Sequence, residues 1–259
     1  MTNRPMKKRT ILLAIVGCFI GIAVLDRITD QGFSGQAWGF WRHDRQIGEV
    51  LDLGSVSKLR VDGAASEITV TADPASPPAA KLTGERDGWG AFWQSGWSTR
   101  DCGQSGRMHV DNDTLVVEMS APSRFLDWSD CSLRLTANLK PEAAVLIRQQ
   151  AARITLKGNF STVDVKADAG DFSLDGHAQT LDVAGAALRV QAWFRSIAHT
   201  ETIALTGRMM DASLHFMVPT PISYLVEATA SLIDSQLPNT PGAKPSITIR
   251  GEMVRTRID

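Results

Sequence analysis

Ile154-Thr-Leu-Lys-Gly158 and Phe172-Ser-Leu-Asp-Gly176 are the same pattern 18 residues apart, and Val190-Gln-Ala192 begins it a third time. Between these runs Val163-Asp-Val165 returns as Leu181-Asp-Val183 at the same spacing. Strict alternation places one row of side chains on each face of an extended strand, and the glycine closing each run supplies a turn. Return at a fixed period means that the unit is stacked, its apolar rows buried in an interior shared with the repeats above and below. The expected architecture is all-β, a single-chain β-solenoid of short strands.

The outward positions fit the same stacking. Arg153, Asp171 and Arg189 fall in one column, Lys157 lies over Asp175, and Thr155, Ser173 and Gln191 form a polar row between them. Opposite charges on neighbouring strands contribute roughly 0.2–1 kcal/mol each, enough to favour one register. Asp164 over Asp182 is the exception, expected to be tolerated by solvent, the alternative being a bound cation. After Val190 the period loosens. Ile203 and Leu205 arrive 22 residues after Leu181 and Val183, which implies a four-residue insertion around residues 193–199. Further strands are readable through Leu214 and Phe216, Leu225 and Val226, Ile233, and finally Ile247 and Ile249. Pro219, Pro221, Pro238, Pro241 and Pro245 mark the connections. Arg250, Glu252, Arg255 and Arg257 on the last strand are expected to guard the open end of the stack against pairing with another chain.

Upstream, the grammar is the same but less regular. Leu59-Arg-Val-Asp-Gly63 followed by Glu67-Ile-Thr-Val-Thr71 reads strand, turn, strand, as do Leu115-Val-Val-Glu-Met119 and Leu133-Arg-Leu-Thr-Ala137. Two loops interrupt them, residues 88–108 and 121–130. The division expected is a basic segment at 1–10, a membrane segment at 11–28, a linker at 29–50, an irregular β region at 51–140 and the repetitive solenoid at 141–259.

Residues 11–25 are an unbroken apolar run preceded by Arg4, Lys7, Lys8 and Arg9. A basic flank before an apolar stretch is an export signal, and the expectation is an uncleaved transmembrane signal anchor. Trp38, Phe40 and Trp41 would then serve as interfacial aromatics. The chain would be a single-pass protein of a bacterial inner membrane, its C-terminal domain facing the periplasm or exterior. Two alternatives stay open: cleavage after the small residues Gly21 and Ala23, giving a secreted protein, and a lipoprotein built on Gly17-Cys18.

Charge excludes one partner class. The 27 Lys and Arg are matched by 28 Asp and Glu along the chain, whereas a nucleic-acid binder carries a basic excess. With Cys18 inside the apolar run, Cys102 and Cys131 are the remaining pair, and an oxidising compartment suggests a disulfide between them; two free thiols are the alternative.

The order of Leu59-Arg-Val-Asp-Gly, Ile68-Thr-Val, Leu133-Arg-Leu, Pro141, Val145-Leu-Ile147 and the run from Ile154 to Gly176 resembles the bacterial putative-adhesin family, adhesin-like β-solenoid domains of the cell envelope whose function is unknown. The resemblance covers roughly residues 51–259. It implies an envelope solenoid, and the family brings no catalytic residues to carry over.

Sites of chemistry are sparse. His43, His109, His177, His199 and His215 stand at no metal-ligand spacing, and no nucleophile elbow or phosphate loop occurs. No metal or cofactor is expected. The densest acidic run is Asp164, Asp168, Asp171, Asp175 and Asp182; a β-helical carbohydrate-active enzyme would need carboxylates from such a run to converge in a cleft. The feature least explained by folding is aromatic. Trp89, Phe92, Trp93 and Trp97 crowd the first loop, and Phe125 and Trp128 the second. Trp89, Phe92, Trp93, Trp97 and Trp128 are candidate ligand-binding residues for an envelope protein or glycan, the alternative being a plug over the end of the stack. The expected function is non-enzymatic, a membrane-anchored protein presenting a binding or scaffolding surface, with a regulatory or sensor partner of a membrane complex as a further alternative.

Overall fold

The chain is described in a computed structural model over residues 48–87, 106–119 and 130–259. The apolar N-terminal segment, the candidate residues Trp89, Phe92, Trp93, Trp97 and Trp128, and Cys102 lie outside the described residues, so the expected anchor, binding loop and disulfide do too.

Ten strands make one sheet: β1 (Val50–Asp52), β2 (Lys58–Ala72), β3 (Ala79–Asp87), β4 (Gly106–Asp111), β5 (Thr114–Met119), β6 (Asp130–Asn138), β7 (Ala143–Phe194), β8 (Thr202–Phe216), β9 (Ser223–Ser235) and β10 (Ser246–Ile258). The described residues contain no helix. β2 pairs in parallel with the start of β7, Leu59 opposite Val145 and Ile68 opposite Ile154. The end of β7 pairs in parallel with β8, Leu181 opposite Ile203 and Val190 opposite Ala212. Within β7 the 18-residue step is marked by close backbone approaches. A Cβ built on Gly176 would fall 2.0 Å from the carbonyl oxygen of Gly158, and one on Gly185 would fall 1.8 Å from that of Ala167. β7 thus carries three successive rungs.

Each rung has two arms joined at a bulge. Pairing runs to Gly185–Gly207 and resumes at Ala187–Met209, and the same one-residue gap recurs between β2 and β7 and between β8 and β10. An extra residue bends a strand and flips its alternation. In β8 the buried positions are accordingly Ile203, Leu205 and Gly207 before the bulge and Met210, Ala212, Leu214 and Phe216 after it. Both arms therefore face one interior, where Leu59, Val61, Ile147, Leu156, Leu174, Val183 and Leu205 are fully buried. Phe194 stacks on Phe216 at 5.0 Å between ring centroids.

Three expectations change. The first rung comes from the region read as irregular, because β2 lies in register on β7. Met108 belongs to β4 and is fully buried, so the first loop ends sooner than the sequence suggested. The last strand in sequence is not the end of the stack either: the spatial order is β8, β10, β9, with β10 inserted between its two predecessors. Its charges do not guard an edge. Arg250 pairs with Glu227 at 2.7 Å and Arg257 with Asp234 at 3.3 Å, both across to β9.

The four-residue insertion falls within the connection from β7 to β8, residues 195–201. Glu201 is fully buried there, its carboxylate accepting hydrogen bonds from the backbone N–H groups of Ala198 and Thr200. One side chain thereby satisfies donors that the longer turn would otherwise leave orphaned.

Candidate functional site

The bulges stack into a concave corner, and the corner is a groove. At the β9 end it encloses about 980 Å³ and is lined by Met209, Met253, Leu232, Leu188 and the small residues Ala187 and Ala230. Met209, Met253 and Leu232 are 51%, 55% and 63% exposed. A second stretch of about 460 Å³, lined by Ala65, Ser66, Leu133, Ala151 and Ala152, shares Gly170 and Asp171 with the first. The two are one trough along the stack, with a floor of small residues and an apolar end. Two consecutive outward residues at each bulge, such as Arg208 and Met209, break the alternation that the sequence reading followed, which is why the methionines were missed.

A charge ladder forms one rim. Register places Arg134 opposite Glu67, Glu67 opposite Arg153, Arg189 opposite Asp211 and Asp211 opposite Arg255, with Asp171 one 18-residue step between Arg153 and Arg189. The column anticipated from three residues thus alternates in sign through seven. Arg134 and Glu67 meet at 2.9 Å. The column ends on β9 at Leu232.

On the outer face of the other arm, Asp164 and Asp182 sit on successive rungs as the sequence predicted, but solvent alone does not separate them. The Arg148 guanidinium grips Asp164 with both ends, at 2.9 and 2.5 Å. This contact holds the Arg148 pKa above its usual value. Asp182 has no such partner among the described residues, and its carboxyl is pushed above the ordinary value of 3.8, first by burial and then by the charge of Asp164. Neither aspartate lines the groove. Asp171 does; Asp175 is held by Arg195, which lowers its pKa. The acidic run is therefore spread over the two arms. Among the described residues no group of three or more His, Cys, Asp or Glu is placed to hold a metal.

The Arg148 fork makes a prediction. Arg148→Ala should lower stability by about 0.5–1 kcal/mol, the range of a well-formed, partly exposed pair, because it also leaves two aspartates facing each other. Arg148→Lys should recover only part, since an ammonium cannot grip both oxygens. Urea denaturation monitored by far-UV circular dichroism reads both; an unchanged midpoint for Arg148→Ala would contradict the role given to it.

The strand ends that bound residues 88–105 and 120–129 stand at the far end of the trough. Asp87 pairs with Asp130 and Gly106 with Met119, so residues 88–105 and 120–129 leave from neighbouring strand ends. Gly63, beside the bulge of β2, pairs with Met119. Cys131 stands in β6 opposite Arg86.

No known family model matches the chain, and no curated protein matches it in sequence. Among solved structures, a putative adhesin from Bacteroides fragilis is similar with a TM-score of 0.44 at 12% identity, covering 85% of this chain and 100% of that one. A putative cell adhesion protein from Clostridium sporogenes is similar with a TM-score of 0.32 at 8% identity, with the same coverage.

Proposed function

We propose that this chain is a non-enzymatic, membrane-anchored protein of the bacterial envelope whose β-solenoid presents a binding or scaffolding surface. The observation that carries the reading is the corner trough. It is long, shallow and open, with an apolar end and a rim of alternating charge, which suits an extended segment of another envelope protein or a glycan chain laid along the stack. A carbohydrate-active site would need carboxylates converging in a cleft, whereas here Asp164 and Asp175 are held by Arg148 and Arg195, and of the acidic run Asp171 stands in the trough as a rung of the charge ladder, which favours a presenting surface. The basic flank and apolar run at residues 4–25 support anchoring in the inner membrane with the domain outside the cytoplasm. The aromatics Trp89, Phe92, Trp93, Trp97 and Trp128, which lie outside the described residues, are proposed from the sequence as a second contact.

The test is capture of envelope proteins and of isolated cell-wall glycan by the purified chain. Met209→Ser with Met253→Ser is expected to weaken capture at least about tenfold, the loss of roughly 1.4 kcal/mol or more of apolar contact, with the thermal midpoint little changed because both side chains are already half exposed and no charge is added to either of these register partners. Trp93→Ala with Trp97→Ala should act in the same direction if the loops share the ligand. Unaltered capture by the methionine variant would remove the trough from the reading.

A further inference from the structure

The edge of β9 is the most unusual feature of the stack. It is 13 residues long and, apart from Thr229 at the bulge, pairs with β10 on one side, and the inward row of this last rung is only partly covered: Ile233 is 40% exposed, and Leu225 and Leu232 on the outward row are 51% and 63% exposed. Edge strands of this length are ordinarily blunted by lysine, proline or a covering loop. Here the blunting is partial. Asn239 folds back so that its side-chain oxygen accepts from the N–H of Tyr224 at 3.0 Å and its amide donates to the Tyr224 carbonyl at 2.9 Å, and Thr240 donates to the Ile222 carbonyl. Among the described residues, the ladder left open begins at Val226.

Which groups it presents follows from alternation. Ser223 and Gln236 turn their N–H groups toward Pro245 and Ile258, the side of β10. Alternate residues of a strand point their backbone groups to opposite edges, so Val226 and Ala228 before the bulge, and Ser231 and Ile233 after it, face outward from the sheet.

We propose that this edge joins two copies of the chain, antiparallel, about a two-fold axis between Thr229 and Ala230. The rung is palindromic about that point. In β8 the buried positions nearest the bulge are Gly207 and Met210, then Leu205 and Ala212, then Ile203 and Leu214, symmetric about the midpoint of Arg208 and Met209. Register through β10 maps that midpoint onto Thr229 and Ala230. Reversing β9 about it therefore sets inward residues against inward ones, Val226 opposite Ile233 and Ala228 opposite Ser231. These are the four residues whose backbone groups are presented, so both pairs are of the hydrogen-bonded kind. On the outward face Glu227 meets Leu232 and Leu225 meets Asp234, so neither carboxylate faces another. A head-to-tail join is disfavoured, because among the described residues the far end of the stack finishes in the short antiparallel strands β1 and β4, which offer no edge of this length. A self-complementary patch is what a closed two-fold interface requires.

The full chain purified in detergent should have the mass of two copies, read by sedimentation with the detergent contribution subtracted. Ala228→Pro removes an N–H only from the open edge, and Ile233→Lys places a charge on the shared inward row; each should halve the mass while keeping the β circular dichroism spectrum. In the unaltered protein, amide exchange over residues 226–233 should be slow and should speed up on dilution, a reading that needs no substitution. A single-copy mass for the unaltered chain overturns the proposal, as does a two-copy mass that neither variant changes or fast, concentration-independent exchange in this segment. Loss of the pair with ligand capture retained would leave the trough reading standing, so the two fail separately.

Discussion

Val183→Asp is expected to abolish folding of the stack, while Asp182→Asn, one residue earlier, leaves it intact or slightly more stable. Val183 is fully buried and pairs with Leu205 on the next rung. A carboxylate there has no cation within the apolar interior, and an unpaired buried charge costs several kcal/mol, of the order of the whole stability of a domain. Asp182 points the other way. Its raised pKa means that the folded state holds the proton more tightly than the unfolded one, so ionised Asp182 costs stability. That cost is complete above the folded-state pKa and vanishes once the pH drops below the unfolded-state value. Asp182→Asn should therefore gain over the parent at neutral pH, by less than about 1 kcal/mol for a partly exposed group, and lose the advantage in acid. Thermal unfolding of the three proteins across pH decides the matter. Equal damage at the two positions would refute the assignment of faces, since a one-residue shift exchanges them.

Gly176→Ala should cost about 3 kcal/mol or more. The residue closes the arm of the middle rung of β7 with φ of +149°, and a Cβ there would stand 2.0 Å from the Gly158 carbonyl oxygen, which is backbone and cannot swing aside. Its own carbonyl accepts from the Arg195 N–H at 2.9 Å, so retreat would break the link to the following turn. Gly242→Ala is the control. That glycine also has positive φ, +81°, but nothing lies within 4 Å of its Cβ position, so only the backbone strain of about 1 kcal/mol applies. Chemical denaturation of both variants separates strain from collision. A Gly176→Ala protein no less stable than Gly242→Ala would mean that these rungs do not stack at the 18-residue step.

The site was less legible than the fold. The column of Arg153, Asp171 and Arg189 could be extrapolated because it obeys the period. Arg148 could not, since it reaches Asp164 diagonally, 16 residues away, and a periodic alignment never sets the two side by side. The trough was hidden for a related reason. Its methionines stand where the bulge puts two outward residues in succession, and a reading that assumes strict alternation treats such a place as noise.

Alternation with glycine turns at a fixed spacing was enough to determine the β class, the inward and outward faces, the 18-residue step and the four-residue insertion, because each is a local property of period and turn chemistry. The order of the last rungs was decided only in three dimensions. Every rung carries the same alternation of faces, so the pattern by itself does not say whether β9 or β10 lies beside β8. The charges distinguish them: against Asp211, β10 offers Arg255 where β9 would offer Leu232, and Arg250 and Arg257 then find Glu227 and Asp234. Such pairings join residues 23 and 44 positions apart, off the 18-residue step, so they exist only once the chain has folded back, and with them the identity of the strand left at the open edge.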